Sequence, residues 1–303
     1  MRIASNKIKD VVRFFREELN GIYAKEEIET FIVFCFEEFL NLKKAEIILR
    51  DNETMSESHL LKFNFAIKDL KQHKPIQYIL GKADFYGLKL KVNEHVLIPR
   101  PETEELVDLI LKEFNVSSFK FNGLSSSPLK RGGEICILDI GTGSGCIPIA
   151  LKKNIPVAKV YALDISEYAL DVAKQNAKMN DVEIAFFQNN ILSPNSETLP
   201  RNYDIIISNP PYICISEKKQ MEKNVLDYEP HLALFVNDND PFLFYKAIAD
   251  YALKWLNPNG KLYFEINQAY GLETKQMLES KGFKNVELIK DLNNNNRILR
   301  GNI

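Results

Sequence analysis

Cysteine is scarce: Cys35, Cys136, Cys146 and Cys214 are the four in 303 residues, and no two form a C-x-x-C pair. That spacing argues against a disulfide framework and favours buried free thiols. Histidine is scarcer in effect, because His59, His73, His95 and His231 lie scattered without metal-ligand spacing. No metal is expected. No stretch approaches the roughly 20 apolar residues of a membrane span, and the basic Met1–Asp10 segment is not followed by a signal-peptide core. A cytoplasmic protein without membrane contact is the expectation. An excess of one charge is missing too: 39 Lys and Arg stand against 41 Asp and Glu, a net charge of -2. A chain that wraps nucleic acid draws on clustered cations, so no direct nucleic-acid partner is expected, and a monomer is.

Hydrophobic residues make up 45% and charged residues 26% of the chain, the balance of an ordinary globular protein. Chains beyond about 250 residues usually split into domains, and two are expected here. From Ile8 to about His73 the apolar residues recur at helical spacing, as in Phe31, Ile32, Cys35, Phe36, Phe39 and Leu40. Thr54 with Glu57 reads as a capping box before the last of these helices, and Pro75 as its stop. The phenylalanines on this stripe are read as core rather than as a ligand pocket. Ile76 to Ile98 shifts to short β-like runs, Asp84 to Val92 and then His95 to Ile98, read as a hairpin linking two domains. Pro99 to Glu105 then marks a helix N-terminus before Leu106 to Phe114. Val116 to Gly133 reads as a surface loop. Beyond it strands alternate with helices, which implies a mostly parallel sheet covered on both faces.

The run Ile135 to Ile140 leads directly into Gly141-Thr142-Gly143-Ser144-Gly145 and then a helix. Ligands of open α/β sheets bind at the carboxyl ends of strands, and glycine there takes positive φ and lets a ligand approach the backbone. The dinucleotide pattern G-x-G-x-x-G would need glycine where Cys146 stands, which disfavours NAD. Asp164 ends the next strand about 20 residues on, where such folds hydrogen-bond ribose. Loop and acid together suggest an adenosine ligand, with Asn190 and Ile191 flanking adenine.

Tyr203 to Ser208 delivers Asn209-Pro210-Pro211-Tyr212 to the same sheet edge. Each proline fixes φ and biases the residue before it away from helix, so the turn is pre-set and carries carbonyls without matching N–H groups. Asn209 Oδ1 and the Pro210 carbonyl can accept both hydrogens of one substrate –NH₂. An amide or aryl-amine nitrogen is a poor nucleophile, and such acceptors orient it and stabilise its developing charge. Tyr212 can present a π face to that cation. Beside a loop expected to hold an adenosine ligand, such a turn suggests methyl transfer from S-adenosylmethionine to a planar nitrogen.

With these residues in place the chain resembles the class I S-adenosylmethionine methyltransferases, and among them the release-factor glutamine N5-methyltransferases (the PrmC, or HemK, family). The resemblance runs over Pro75 to Gly81, Phe85-Tyr86-Gly87, Leu97 to Glu104, the glycine loop, Asn209 to Tyr212, Tyr228-Glu229-Pro230, Ala233-Leu234, Asp291 and Arg297. Arg100-Pro101-Glu102 separates it from the ribosomal-protein glutamine methyltransferases, which tend to carry Arg-Ser-Pro there. The chain departs from many members at Asn190, where they have Asp, and at Ile191, where they have an aromatic residue.

The resemblance implies a Rossmann-like α/β domain with a seven-stranded, mostly parallel sheet (99–303), an all-helical substrate-recognition domain (1–75) and a β-hairpin linker (76–98). It implies S-adenosylmethionine as methyl donor, held by Gly141, Thr142, Gly143, Ser144, Gly145, Asp164, Asn190, Ile191 and Asn209. Asn209, Pro210, Pro211 and Tyr212 would bind the substrate, with Asn209, Pro210 and Tyr212 catalytic. The substrate implied is the glutamine of the Gly-Gly-Gln loop of release factors. The alternatives are a ribosomal-protein glutamine methyltransferase and an adenine-N6 or guanine-N2 nucleic-acid methyltransferase, the latter expected to show a basic face or stacking loops. A non-catalytic cofactor-binding domain would leave the Asn-Pro-Pro-Tyr turn without a purpose. Lys218, Lys219 and Lys223 read as a solvated helix face, and Glu229-Pro230 as a turn or a holder of the substrate loop.

Overall fold

The computed structural model describes residues 5–119, 135–195 and 199–303. Its contacts divide it into two units, Met1–Gly81 with Glu222–Tyr228, and Lys82–Met221 with Glu229–Ile303. No helix among the described residues is long and apolar enough to cross a membrane.

The first unit is helical: α1 (Ile8–Leu19), α2 (Lys25–Leu40), α3 (Lys44–Leu49), α4 (Glu57–Leu70) and α5 (Ile76–Leu80). Phe15, Phe31, Phe36 and Phe63 are buried together, with the Phe36 and Phe63 rings 4.6 Å apart. Fully burying such a ring contributes about 1.5–3 kcal/mol, so the aromatic stripe is this unit's core. The cap of α4 is not Thr54 but Ser56, whose hydroxyl accepts from the His59 N–H. Ile76–Leu80 is a helix and not the β-run expected, because Pro75 sits at its N-cap and Gly81, at φ 69°, closes it in the left-handed region.

The second unit opens with β1 (Lys82–Phe85) and β2 (Leu88–Lys91), an antiparallel hairpin. Tyr86 and Gly87 make its turn at φ 48° and 75°, the two positive angles of a tight type I′ turn. The second expected run, His95 to Ile98, is not a strand. Phe85 and Leu90 pack with Leu106 and Val107 in this unit's core, so the hairpin is part of the unit rather than a free linker. Helix α6 (Pro101–Phe119) starts on Pro101 as the prolines suggested and continues into the segment expected as a loop; the rest of that segment lies outside the described residues.

There follow β3 (Cys136–Ile140), α7 (Cys146–Asn154), β4 (Lys159–Asp164), α8 (Glu167–Met179), β5 (Ala185–Gln188) and β6 (Tyr203–Ser208). After the two-residue strand β7 (Ile213–Cys214), α9 (Lys223–Leu226) belongs to the helical unit. Then come α10 (His231–Leu234), β8 (Phe235–Val236), α11 (Leu243–Trp255), β9 (Leu256–Glu265), α12 (Gly271–Ser280), β10 (Lys284–Lys290) and β11 (Asn296–Asn302). The seven-stranded sheet runs β10-β11-β9-β6-β3-β4-β5, with β11 antiparallel to both neighbours and the other pairs parallel. Its strands bury both faces: Ile137, Ile205, Ile207 and Tyr263 enter one apolar layer, Leu138, Ile206, Leu262 and Phe264 the other. This is the period-two alternation of a sheet covered on both sides. The chain steps outward from β3 through β4 to β5, then returns to the other side of β3 with β6. Ligands bind at such a reversal, outside the carboxyl ends of the strands.

Candidate active site

The loops that follow β3 and β6 face each other across that reversal, and a cavity of about 300 Å³ opens there. Gly141, Thr142, Gly143 and Ser144 form part of its wall. Gly141 and Gly143 have φ of 76° and 53°, and a Cβ on either would meet no protein atom within 4 Å. Gly145 is not in the wall; a Cβ there would lie 3.1 Å from Ala173 Cβ, so this glycine lets α7 pack on α8. The loop is folded against β4 because the N–H groups of Gly141 and Thr142 both donate to the Leu163 carbonyl, at 2.9 and 3.0 Å. Asn176 of α8, fully buried, donates to the Ser144 carbonyl at 2.9 Å and exchanges hydrogen bonds with the Lys91 backbone. One side chain thereby ties glycine loop and hairpin together.

Asp164 lines the cavity and accepts from the Gly143 N–H at 2.8 Å and the Ser166 N–H at 2.9 Å. Burial pushes its carboxyl up and these N–H groups pull it back; each oxygen keeps a lone pair for a ribose hydroxyl. Asp139, at the base of the loop, is buried with neither oxygen hydrogen-bonded, and the Thr142 hydroxyl is likewise unpartnered. Burial pushes the Asp139 carboxyl up to about 7; the nearby Thr142 hydroxyl offsets part of that without reaching hydrogen-bond geometry. Unsatisfied buried polar groups call for a partner; Thr142 is in the cavity wall, whereas Asp139 lies behind it. Asn190 and Ile191 line the cavity beyond β5; Asn190 Oδ1 accepts from the Leu192 N–H at 3.0 Å, which leaves its amide hydrogens for a ligand. Open space over two glycines, a pinned acid and an apolar wall fit S-adenosylmethionine.

Asn209, Pro210 and Pro211 also line the cavity, whereas Tyr212 does not. The Tyr212 phenol instead donates to Glu265 Oε1 at 3.1 Å, and burial followed by the Glu265 charge keeps it protonated. Asn209 Nδ2 donates to Thr103 Oγ1 at 3.2 Å, and that hydroxyl donates to Glu265 Oε2 at 2.6 Å. Glu265 is 1% exposed at the end of β9. Burial pushes its carboxyl up, while the Thr103 and Tyr212 hydroxyls and the Arg297 charge oppose this. Sequence reading did not single out Thr103 or Glu265 for the site. The available signal was an acid closing the apolar run Leu262-Tyr263-Phe264 at the carboxyl edge.

Glu229 is buried and accepts from Arg100 Nη2 and, at 3.2 Å, from the Ile98 N–H. Burial raises its carboxyl and the Arg100 guanidinium opposes this. The pair fastens the segment carrying Leu97 and Pro99 to the one carrying Pro230, and all three residues line the cavity. Lys218 lies over the Phe235 ring, 4.2 Å from its centre.

The PrmC N-terminal domain model matches residues 10–81, and the Methyltransferase small domain model matches residues 126–228. The release factor glutamine methyltransferase of Flavobacterium psychrophilum is 48% identical over 97% of this chain and 99% of its own. The enzyme of the same name from Bacteroides thetaiotaomicron is 42% identical over 96% and 99%. Among solved structures, the hMettl16 catalytic domain in complex with MAT2A 3′UTR hairpin 1 superposes with a TM-score of 0.50 at 14% identity, covering 88% of this chain and 87% of that one. At that identity the likeness concerns the fold alone. The chain belongs to the release factor glutamine methyltransferase family.

Proposed function

We propose that this enzyme transfers a methyl group from S-adenosylmethionine to the side-chain amide nitrogen, N5, of the glutamine in the Gly-Gly-Gln loop of a peptide chain release factor. One observation carries the residue assignment. The Asn209 amide nitrogen is engaged by Thr103 at 3.2 Å, so its oxygen is left for the hydrogens of a substrate amide at the cavity wall.

S-adenosylmethionine, when bound, supplies an electrophilic methyl group on a sulfonium. Gly141 to Ser144, Asp164, Asn190 and Ile191 hold it in this reading. A glutamine amide nitrogen shares its lone pair with its carbonyl and attacks poorly. Asn209 Oδ1 and the Pro210 carbonyl, accepting one hydrogen each, orient that nitrogen and stabilise the positive charge it develops. Pro210 and Pro211 keep the acceptors rigid, so little reorganisation is needed at the moment of reaction. Tyr212 supports the turn from behind through Glu265. The helical unit takes part in holding the release factor, and the same reading includes a monomer that works in the cytoplasm, without a nucleic-acid partner.

The test uses methyl-labelled S-adenosylmethionine with a release factor, either wild type or with the Gly-Gly-Gln glutamine replaced, beside ribosomal protein and RNA controls. Label should enter the wild-type factor alone; equal labelling of both factors would overturn the assignment. Asn209→Ala should keep cofactor binding in calorimetry while turnover falls by at least ~100-fold, as when other transition-state hydrogen-bonding groups are removed.

A further inference from the structure

We propose that Thr103 and Glu265 are positioning residues that determine which end of the Asn209 amide faces the substrate. The inference rests on the reading of Asn209 as acceptor of the substrate amide and adds what makes that acceptor an acceptor. A carboxamide has an oxygen at one end and an NH₂ of nearly the same shape at the other, so packing alone does not choose between them. A half-turn of the Asn209 side chain would replace the acceptor by two donors and set N–H against the substrate's own N–H.

The hydrogen-bond chain behind Asn209 removes that freedom. Burial works against the charged form of Glu265, while the Thr103 and Tyr212 hydroxyls and the Arg297 charge favour it; as a carboxylate it only accepts, and its two oxygens meet Tyr212 at 3.1 Å and Thr103 at 2.6 Å. The single Thr103 hydrogen is therefore committed to Glu265. Toward Asn209 the Thr103 oxygen has only lone pairs to offer, so the group that satisfies it is Nδ2, found at 3.2 Å. Turning the amide over would bring its oxygen against the Thr103 lone pairs and forfeit this hydrogen bond, a loss of about 1–3 kcal/mol for a buried acceptor left unpaired. Oδ1 is thereby held for the substrate by an acid that is not itself in the cavity wall.

Thr103→Val replaces the hydroxyl by a methyl of similar volume, and Thr103→Ser keeps the hydroxyl. With Thr103→Val, kcat toward the release factor should fall about tenfold or more, with KM and S-adenosylhomocysteine affinity held and a protein that stays folded, its melting temperature lowered by the hydrogen bond that Glu265 loses. Thr103→Ser should recover most of the turnover. Glu265→Gln places an amide donor against Thr103 or Tyr212 and should lower kcat as well; combined with Thr103→Val it should add little, because both changes release the same amide. Thr103→Val with unchanged kcat, Thr103→Ser as impaired as Thr103→Val, or independent multiplication of the two losses would each overturn the proposal. Asn209→Ala assayed in parallel separates the cases: if it retains turnover the acceptor reading itself fails, and if it loses turnover while Thr103→Val does not, the positioning role alone fails.

Discussion

Replacing Gly145 by alanine should damage the fold, whereas the same change four residues earlier, at Gly141, should damage cofactor binding. Both glycines are left-handed, at φ 80° and 76°, so each alanine costs about 1–2 kcal/mol of backbone strain. At Gly145 the new methyl also lies 3.1 Å from Ala173 Cβ and from Ile149 Cδ1, and 3.3 Å from the Ala173 backbone. Helix α8 cannot yield there without moving Asn176, which holds the Ser144 carbonyl. Overpacking of this kind adds about 1–3 kcal/mol, for a total near 2–5. In a unit of this size each kcal/mol moves the melting temperature by about 2–4 °C, so Gly145→Ala should melt roughly 4–20 °C low and Gly141→Ala only about 2–8 °C low. At Gly141 the methyl meets no protein atom and enters the cavity instead. There it should weaken S-adenosylhomocysteine binding by the equivalent of about 1–3 kcal/mol, roughly 5- to 150-fold. Scanning calorimetry and titration of the ligand read the two effects separately. Equal melting losses in the two variants, or unimpaired binding by Gly141→Ala, would refute the division of labour within the loop.

Asp139 gives a pH signature in the ligand-free protein. Its folded-state value of about 7 lies above the ordinary 3.8, so the folded chain binds that proton more tightly than the unfolded one. Stability should then decline by up to ~1.4 kcal/mol per unit as pH rises from about 4 to about 7, and level off above. Asp139→Asn should remove this slope in urea titrations across pH; an unchanged slope would show that another group carries it. In the helical unit, Ser56→Ala should cost about 1 kcal/mol through the lost cap on α4, while Thr54→Ala should be silent, since the contact of Thr54 with Lys7 is a backbone bridge. Unfolding curves of the two variants decide between the caps.

Much of this could be read from contiguous residues. Tyr203–Ser208 has the bounds its apolar run suggested, because Asn202 and the Asn-Pro-Pro turn punctuate it on both sides. Gly141 to Ser144, Asp164 and Asn209 all reach the cavity wall, because a glycine loop, a strand-end acid and a proline turn are short local signals. The β-like region expected from Ile76 begins instead at Lys82, because Pro75 and Gly81 frame Ile76–Leu80 as a helix. The hairpin turn at Tyr86-Gly87 was hidden inside what looked like one strand.

The pattern of apolar residues and turn formers was enough to set the elements, the sheet type and the cofactor loop, because those depend on neighbours in the chain. It could not assign Gly145 to helix packing or Tyr212 to the support of the turn, nor find the orientation of the Asn209 amide. That orientation runs through Thr103, 106 residues away, and on to Glu265, another 162 beyond Thr103. Hydrogen bonds have a direction, and which group must donate is settled only when the ends of β6 and β9 and the first turn of α6 are brought within 3 Å or so of one another.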